Sequence, residues 1–375
     1  MKKKIIVSVI NDLVTDQRVA KTCHTLYEAG YEVVLIGRVL PDSPSLPQRP
    51  YQQVRMRLLF KKGALFYAFF NIRLFFYLLF HRFDILHAND LDTLLANYLV
   101  SILKRKPLVF DSHEYFTEVP ELQHNPFAKK TWKTIERFIV PKLKHCITVN
   151  QSIALLFKQE YGVDFKVLRN LPPQNKSQQK ESRKSLNLPE DKFIIILQGS
   201  GINMHRGSEE LVEAMPYLND DFLLLIIGNG DIVPQLKKMT EEKKLHQRIR
   251  FIGRLPYNEL IKYTSVADLG VTLDKDTNLN YRYSLPNKIF DYIQAGVPVL
   301  SSKLPELERI IQTYEVGELV DEVTPEAIAT KIQHLAENKT KLAWYAHQCQ
   351  KAARELNWEK EKWVLLGIYS TIEAE

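Results

Sequence analysis

Short apolar runs alternating with amphipathic stretches constrain the architecture of this chain more than any other feature. Ile5 to Ile10 is apolar enough for a strand buried on both faces; Asp16 to Ala29 follows as a helix, with Asp16 at its cap and Gly30 behind it; Tyr31 to Gly37 is a strand again. Two buried strands joined through a helix lie parallel in one sheet, with the helix covering a face. The pattern continues with strands at Ile85 to Ala88, Leu108 to Asp111 and Cys146 to Val149, and with helices at Asp92 to Leu103 and Trp132 to Leu143.

A second series follows a polar, aperiodic stretch that begins at Pro172 and reads as a linker. Its strands are Phe193 to Gln198, Phe222 to Ile227, Ile249 to Ile252, Leu269 to Leu273 and Val297 to Ser301. Its helices are Ser208 to Met215, Ile232 to Lys244, Tyr257 to Thr264 and Pro325 to Asn338, with a final helix over Trp358 to Ile372. A length of 375 residues suits two such domains, each with its own core.

Lys and Arg exceed Asp and Glu by 51 − 44 = 7, which favours anionic partners. The basic residues are dispersed, not gathered into one aromatic-interleaved stripe, so no nucleic-acid partner is expected. Cys23, Cys146 and Cys349 lie far apart with no second ligand at metal spacing, which predicts free thiols in a reducing compartment. Met1-Lys-Lys-Lys followed by Ile5 resembles a signal-peptide onset, but the apolar run is short and meets Asn11-Asp12 without a small-residue cleavage site. A cytoplasmic first strand is the expectation.

Leu58 to Phe80 is dense in Phe, Leu and Tyr and flanked by Arg55, Arg57, Lys61, Lys62 and Arg82. A helix over Ala64 to Phe80 is about 25 Å long against a hydrocarbon layer of roughly 30 Å, and Asn71 and Arg73 interrupt it, so it is not expected to span a bilayer. It fits either a core helix or one lying in the headgroup layer of an anionic membrane through 55–82.

The segment Tyr283-Ser-Leu-Pro-Asn-Lys-Ile-Phe-Asp-Tyr-Ile-Gln-Ala-Gly-Val-Pro298 carries the chemistry. Pro286 and Asn287 suit a helix start, with Asn287 as its cap, and Lys288 adds positive charge where backbone N–H groups already favour an anion. Asp291, three residues on, shares a helix face with Lys288, so the pair can bracket a nucleotide, cation to phosphate and carboxylate to ribose. Taken alone, these residues also fit an ordinary amphipathic helix with a surface Lys–Asp pair.

With two tandem sheets and this PNKxFDYxxAGxPV segment, the chain resembles the family-4 retaining glycosyltransferases of GT-B fold, in particular bacterial enzymes of surface-polysaccharide synthesis. The resemblance implies two Rossmann-like, doubly wound parallel-sheet domains facing a cleft, with a C-terminal helix crossing back to the first. It divides the chain into an acceptor-side domain at 1–172, a linker at 173–190, a donor-nucleotide domain at 191–357 and the returning helix at 358–375.

It also implies roles for residues. Asp291 would hold the ribose, with Asn287 and Lys288 along the donor diphosphate and sugar. Arg206, in Gln198-Gly-Ser-Gly-Ile-Asn-Met-His-Arg-Gly207, would be a second phosphate clamp, and Gly199 and Gly201 would admit the ligand close to the backbone. His113 would face the donor sugar, with a near-neutral pKa. Asn11, Asp12, Arg18, Asp111 and Glu114 are weaker candidates on the acceptor or phosphate side. Three departures stand out: Tyr283 where the family has its first acid, Ser200 where it has an arginine, and Asn11-Asp12 where it has a glycine pair after the first strand.

Asp90-Leu-Asp92 and Asp274-Lys-Asp276 match a short metal-binding pattern, but no His or Cys joins either, and Asp92 reads as a helix cap. Neither Gly199-Ser-Gly201 nor Gly228-Asn-Gly230 has the third glycine of a dinucleotide loop. No metal and no cofactor are therefore expected beyond a nucleoside-diphosphate sugar as substrate. The acceptor would be lipid-linked or a saccharide; a sugar-nucleotide epimerase and a non-catalytic sugar-nucleotide-binding subunit are the alternatives.

Overall fold

The computed structural model describes residues 2–41, 43–174 and 181–375. The linker expected at 173–190 falls at 175–180 outside the described residues. The chain divides into two compact units, Met1–Asn170 with Glu361–Glu375, and Leu171–Lys360.

In the first unit, Lys4–Ser8 (β1), Glu32–Val39 (β2), Gln52–Arg57 (β3), Ile85–Asn89 (β4), Leu108–Ser112 (β5), His145–Thr148 (β6) and Lys166–Val167 (β7) form one sheet. Its order is β3-β2-β1-β4-β5-β6-β7, with every pairing parallel. In the second unit, Phe193–Gly199 (β8), Phe222–Gly228 (β9), Ile249–Ile252 (β10), Leu269–Thr272 (β11), Val299–Ser302 (β12) and Gly317–Val320 (β13) form a sheet of order β10-β9-β8-β11-β12-β13, again parallel. Strand order reverses between β1 and β4 and between β8 and β11. At such a reversal the flanking connections leave on opposite faces, opening a crevice beyond the carboxyl ends of the strands.

The continuous apolar strands are explained by burial on both faces. Ile195 and Leu197 of β8 belong to one core, Ile194 and Ile196 to the other. The two-residue period thus separates neighbours into different layers, each buried Leu or Ile contributing about 1.5–3 kcal/mol.

Two helix starts differ from expectation. The helix expected at 132–143 is Pro126–Ile139 followed by a 3-10 turn over Val140–Lys142: Asn125 accepts from the Ala128 N–H, and Pro126 costs nothing where the N–H is unpaired anyway. Asp92 does not cap its helix. Leu91–Lys104 begins behind Asp90, which takes a positive φ of 59°, and Asp92 is buried inside the first turn.

Gly63–Phe80 is a helix, and by length and composition alone it is apolar enough to cross a membrane. It buries Phe66, Phe70, Leu74 and Leu78, a single stripe at helical spacing, and it packs against Leu91–Lys104. The core-helix reading therefore holds for that stripe. Leu65, Ile72, Phe76 and Phe80 remain exposed.

The last helix, Trp358–Ala374, buries Leu365, Ile368, Tyr369 and Ile372. Residues from Glu361 onward group with the first unit, where Tyr369 Oη lies 2.8 Å from His87 Nδ1 and Glu361 pairs with Arg169 at 2.6 Å.

Candidate functional site

In the second unit the site is built around helix Lys288–Ala295. Ile289, Phe290, Tyr292 and Ile293 are buried. Tyr292 fixes the helix: its hydroxyl lies 3.1–3.2 Å from the carbonyls of Val271 and Ile196, and a Cβ on Gly270 would come within 2.4 Å of its ring. Lys288 and Asp291 are thereby held at the carboxyl ends of β8 and β11. Asn287 does not cap. It is already in the helical region and its side chain accepts no N–H, because a cap needs an extended backbone to turn its oxygen toward the first turn.

The Lys288 ammonium donates no hydrogen bond among the described residues. Burial lowers its pKa, Asp274 raises it and Arg206 lowers it, to about 8. Arg206 donates from Nη1 to Asp274 at 3.3 Å, its guanidinium lies 4.7 Å from the centre of the Tyr281 ring, and its Nε is buried without a partner among the described residues. Asp274 is fully buried and also accepts from Ser284 at 3.4 Å. The acid set aside as half of a metal pattern is instead the carboxylate shared by the two cations. Asp276 pairs with Arg282 at 3.4 Å.

The loop carrying Arg206 is fixed by backbone contacts. Gly207 has φ +69°, and a Cβ there would meet the Leu273 carbonyl oxygen at 2.2 Å. Gly228, at φ +135°, touches Gly199 so closely that a Cβ would lie 1.8 Å from its carbonyl oxygen. The second Gly-x-Gly thus packs against the first. Gly199 and Gly201 themselves have only ordinary contacts at 3.7–4.0 Å, so no protein neighbour demands a glycine at either position.

Asp291 accepts from Gln198 Nε2 at 3.1 Å and Tyr257 Oη at 3.2 Å, while Gln198 Oε1 accepts from Thr264 at 2.7 Å. Sequence reasoning gave Gln198, Tyr257 and Thr264 no role, since their partners lie 66 and 93 or 34 positions away. The only available signal was a polar Gln closing an otherwise apolar strand. Tyr283, at the end of a short helix, offers a phenol where the resemblance expects a carboxylate.

In the first unit, His113 follows β5. Its Nδ1 lies 3.2 Å from Asp90, and its Nε2 lies 3.1 Å from Asn89 Oδ1 and 3.5 Å from Asp111. Burial works against the charge, but Asp90 and Asp111 outweigh it and raise the pKa to about 9, so His113 is an imidazolium and not the near-neutral group expected.

Arg18 is not available to a ligand. Only 3% exposed, it forks onto Asp111 at 2.6 and 3.1 Å and donates to the Leu168 carbonyl at 2.7 Å. Burial would raise the pKa of Asp111, yet Arg18 and His113 hold it well below the usual carboxylate range. Asp111 therefore orients His113 from beneath. Asn11 bonds Asp16 and the Leu13 N–H, and Asp12 accepts from the Val14 N–H, so both shape the loop after β1. The Glu114 carbonyl accepts from Ser112.

Residues 16–172 match the family described as Glycosyltransferase Family 4, and residues 178–356 match Glycosyl transferases group 1. The chain belongs to the family-4 glycosyltransferases and has the GT-B fold. Among curated relatives, a GDP-mannose-dependent monoacylated alpha-(1-6)-phosphatidylinositol monomannoside mannosyltransferase of Corynebacterium glutamicum is 31% identical over 29% of this chain, an alignment spanning only 28% of that relative. A chitobiosyldiphosphodolichol beta-mannosyltransferase of Candida glabrata is 21% identical over 84% of this chain and 80% of its own length. Among solved structures, sucrose-phosphate synthase from Thermosynechococcus elongatus superposes over the whole of both chains with TM-score 0.81 at 18% identity. Anabaena HepE, solved with UDP-glucose, does so with TM-score 0.76 at 16% identity.

Proposed function

We propose that the protein is a retaining glycosyltransferase that moves a hexose or N-acetylhexosamine from a nucleoside-diphosphate sugar to a lipid-linked or saccharide acceptor in surface-polysaccharide synthesis. The observation that carries this reading is the grouping of Arg206 and Lys288 about the buried Asp274. One carboxylate against two cations leaves a positive site at the sheet's switch point, suited to a diphosphate.

The bond from the anomeric carbon to the β-phosphate oxygen breaks while the acceptor oxygen bonds to the same carbon from the same face, and the acceptor proton passes to the departing phosphate oxygen. Arg206 and Lys288 stabilise the charge that gathers there. Asp291, oriented by Gln198 and Tyr257, holds the ribose hydroxyls. No step needs a metal. His113, its ring nitrogens held by Asp90 and Asn89, faces the sugar with its positive charge. The protein works in the cytoplasm, peripherally at an anionic inner membrane surface through 55–82. The relatives' names include both GDP-mannose and UDP-glucose donors, so the base is decided by experiment.

The test is thermal unfolding against a panel of nucleoside diphosphates and their sugars in chelator. One base is expected to stabilise the protein, by about 2.7 kcal/mol at a hundred times its dissociation constant, and its sugar to be consumed only with acceptor present. An epimer formed from donor alone would replace the transferase reading. Tyr283 favours a second reading, a subunit that binds the donor without turnover; donor binding with no transfer to any acceptor would establish it.

A further inference from the structure

Beneath His113 lies a second histidine that solvent does not reach. β4 carries His87 and Asn89 two residues apart, and Asn89 stands in register with Asp111 of β5, so the three side chains share one face of the sheet. His87 and Asp111 are completely buried. The last helix, Trp358–Ala374, brings Tyr369 onto this face, also buried.

Which ring nitrogen of a histidine carries the proton is decided by the groups that face each one. His87 Nδ1 lies 2.8 Å from Tyr369 Oη. Burial, with Cys23, Tyr31 and Asp111 nearby, holds the Tyr369 phenol well above its usual pKa, so it keeps its proton, and Nδ1 is the hydrogen-bond partner of its hydroxyl among the described residues. The hydroxyl therefore donates and Nδ1 accepts. On the other side, Nε2 lies 3.8 Å from Asp111 Oδ2, longer than a hydrogen bond but close enough for a strong electrostatic contact in a buried setting. A lone pair pointing at that carboxylate is repelled, and an N–H is attracted. Both neighbours thus select one tautomer, with the proton on Nε2.

Asp111 is shared among three groups. Arg18, from helix Gln17–Glu28, forks onto it, and His113 Nε2 lies 3.5 Å from Oδ2, the oxygen that His87 also faces. The other groups around His113 are Asp90 at 3.2 Å, Asn89 at 3.1 Å and the buried Asp92, which acts on it through its charge.

We propose that His87 and Tyr369 are positioning residues for His113: the Tyr369 hydroxyl fixes the His87 proton on Nε2, and that N–H steadies Asp111 in the orientation from which it holds the sugar-facing ring. The last helix is then part of the site as well as a cover for the sheet. The assignment rests on the reading that His113 faces the donor sugar, and its test is independent of turnover.

Nitrogen NMR of the full-length protein, labelled with 15N-histidine and titrated with base, reads the tautomer of His87 and the loss of the His113 proton; His87→Gln and His113→Gln assign the signals. In the wild type the His87 proton is expected on Nε2, and a proton on Nδ1 overturns the proposal. Tyr369→Phe keeps the ring and removes only the donor. His87 should then shift toward the form protonated on Nδ1, which turns a lone pair to Asp111 and leaves more of that charge for His113. The His113 midpoint should rise from about 9 by roughly half a pH unit, about a threefold tighter hold on its proton. Tyr31→Phe, on the ring that packs against Tyr369 at 5.5 Å, is the control and should change neither reading. An unchanged tautomer and midpoint in Tyr369→Phe, or equal changes in Tyr31→Phe, reduce the contact to packing and overturn the assignment. If the wild type neither binds nor consumes a nucleotide sugar while both histidines behave as expected, the transferase reading falls and the proton arrangement stands.

Discussion

Replacing Lys288 by alanine is expected to lower kcat by two to three orders of magnitude while the unfolding temperature stays within a degree or two of the wild type. The size follows from removing one preorganised cation from a leaving group that gains charge in the transition state, worth about 2.7–4 kcal/mol. Stability is spared because the ammonium is half-buried and donates no hydrogen bond among the described residues, and because burial has already lowered its pKa from 10.5 to about 8. A group with a depressed amine pKa is charged below that value and neutral above it. Donor kcat/KM should therefore fall as pH rises through about 8, and Lys288→Arg should carry that limb to higher pH, since a guanidinium stays charged. Steady-state release of nucleoside diphosphate across pH 6 to 10 measures both effects; a rate near wild type in the alanine variant removes Lys288 from the mechanism.

Arg18→Met is expected to produce the largest loss of stability, about 3–5 kcal/mol, because it leaves Asp111 fully buried with its principal counter-charge gone. In a unit of this size that lowers the melting temperature by roughly 10 °C. The double variant Arg18→Met/Asp111→Leu should recover much of it, since the cost lies in the orphaned carboxylate and not in the absent ion pair. Denaturant titration followed by a probe in the first unit reads the difference. Nucleoside-diphosphate affinity should not change. A single variant as stable as the wild type would show that Asp111 is neutral in the folded protein, contrary to its strongly depressed pKa.

The two variants also mark what a sequence can convey. Lys288 and Asp291 were legible because three positions on a helix is a local relation, and a Pro-Asn start with a Gly stop delimits the helix. The apolar strands β1, β2, β8 and β9 were legible for the same reason: burial on both faces leaves a continuous run. β3 was not. Gln52–Arg57 is polar and lies at the edge of its sheet, so only its register with β2 makes it a strand.

Non-local relations account for the other differences. Arg18 has the composition of a phosphate contact until Asp111, 93 positions away, takes its guanidinium. Asp274 looks like a metal ligand until Arg206, 68 positions away, reaches it. His113 owes its positive charge to Asp90 as much as to its neighbour Asp111. In each case residue type set the chemistry and the fold chose the partner. The family resemblance supplied roles for Arg206 and His113 that spacing alone does not contain, and it supplied nothing for the Gln198–Thr264 and Tyr257–Asp291 contacts that hold the carboxylate in place.

Arg206 and Lys288, grouped about the buried Asp274, are expected to hold a diphosphate together. Calorimetric titration of the intact protein with a nucleoside, its monophosphate and its diphosphate tests it directly, run on the wild type and on Arg206→Gln/Lys288→Gln. Affinity is expected to rise steeply with the second phosphate in the wild type, and this rise to disappear in the double variant. Equal dependence on phosphate in both proteins would contradict it.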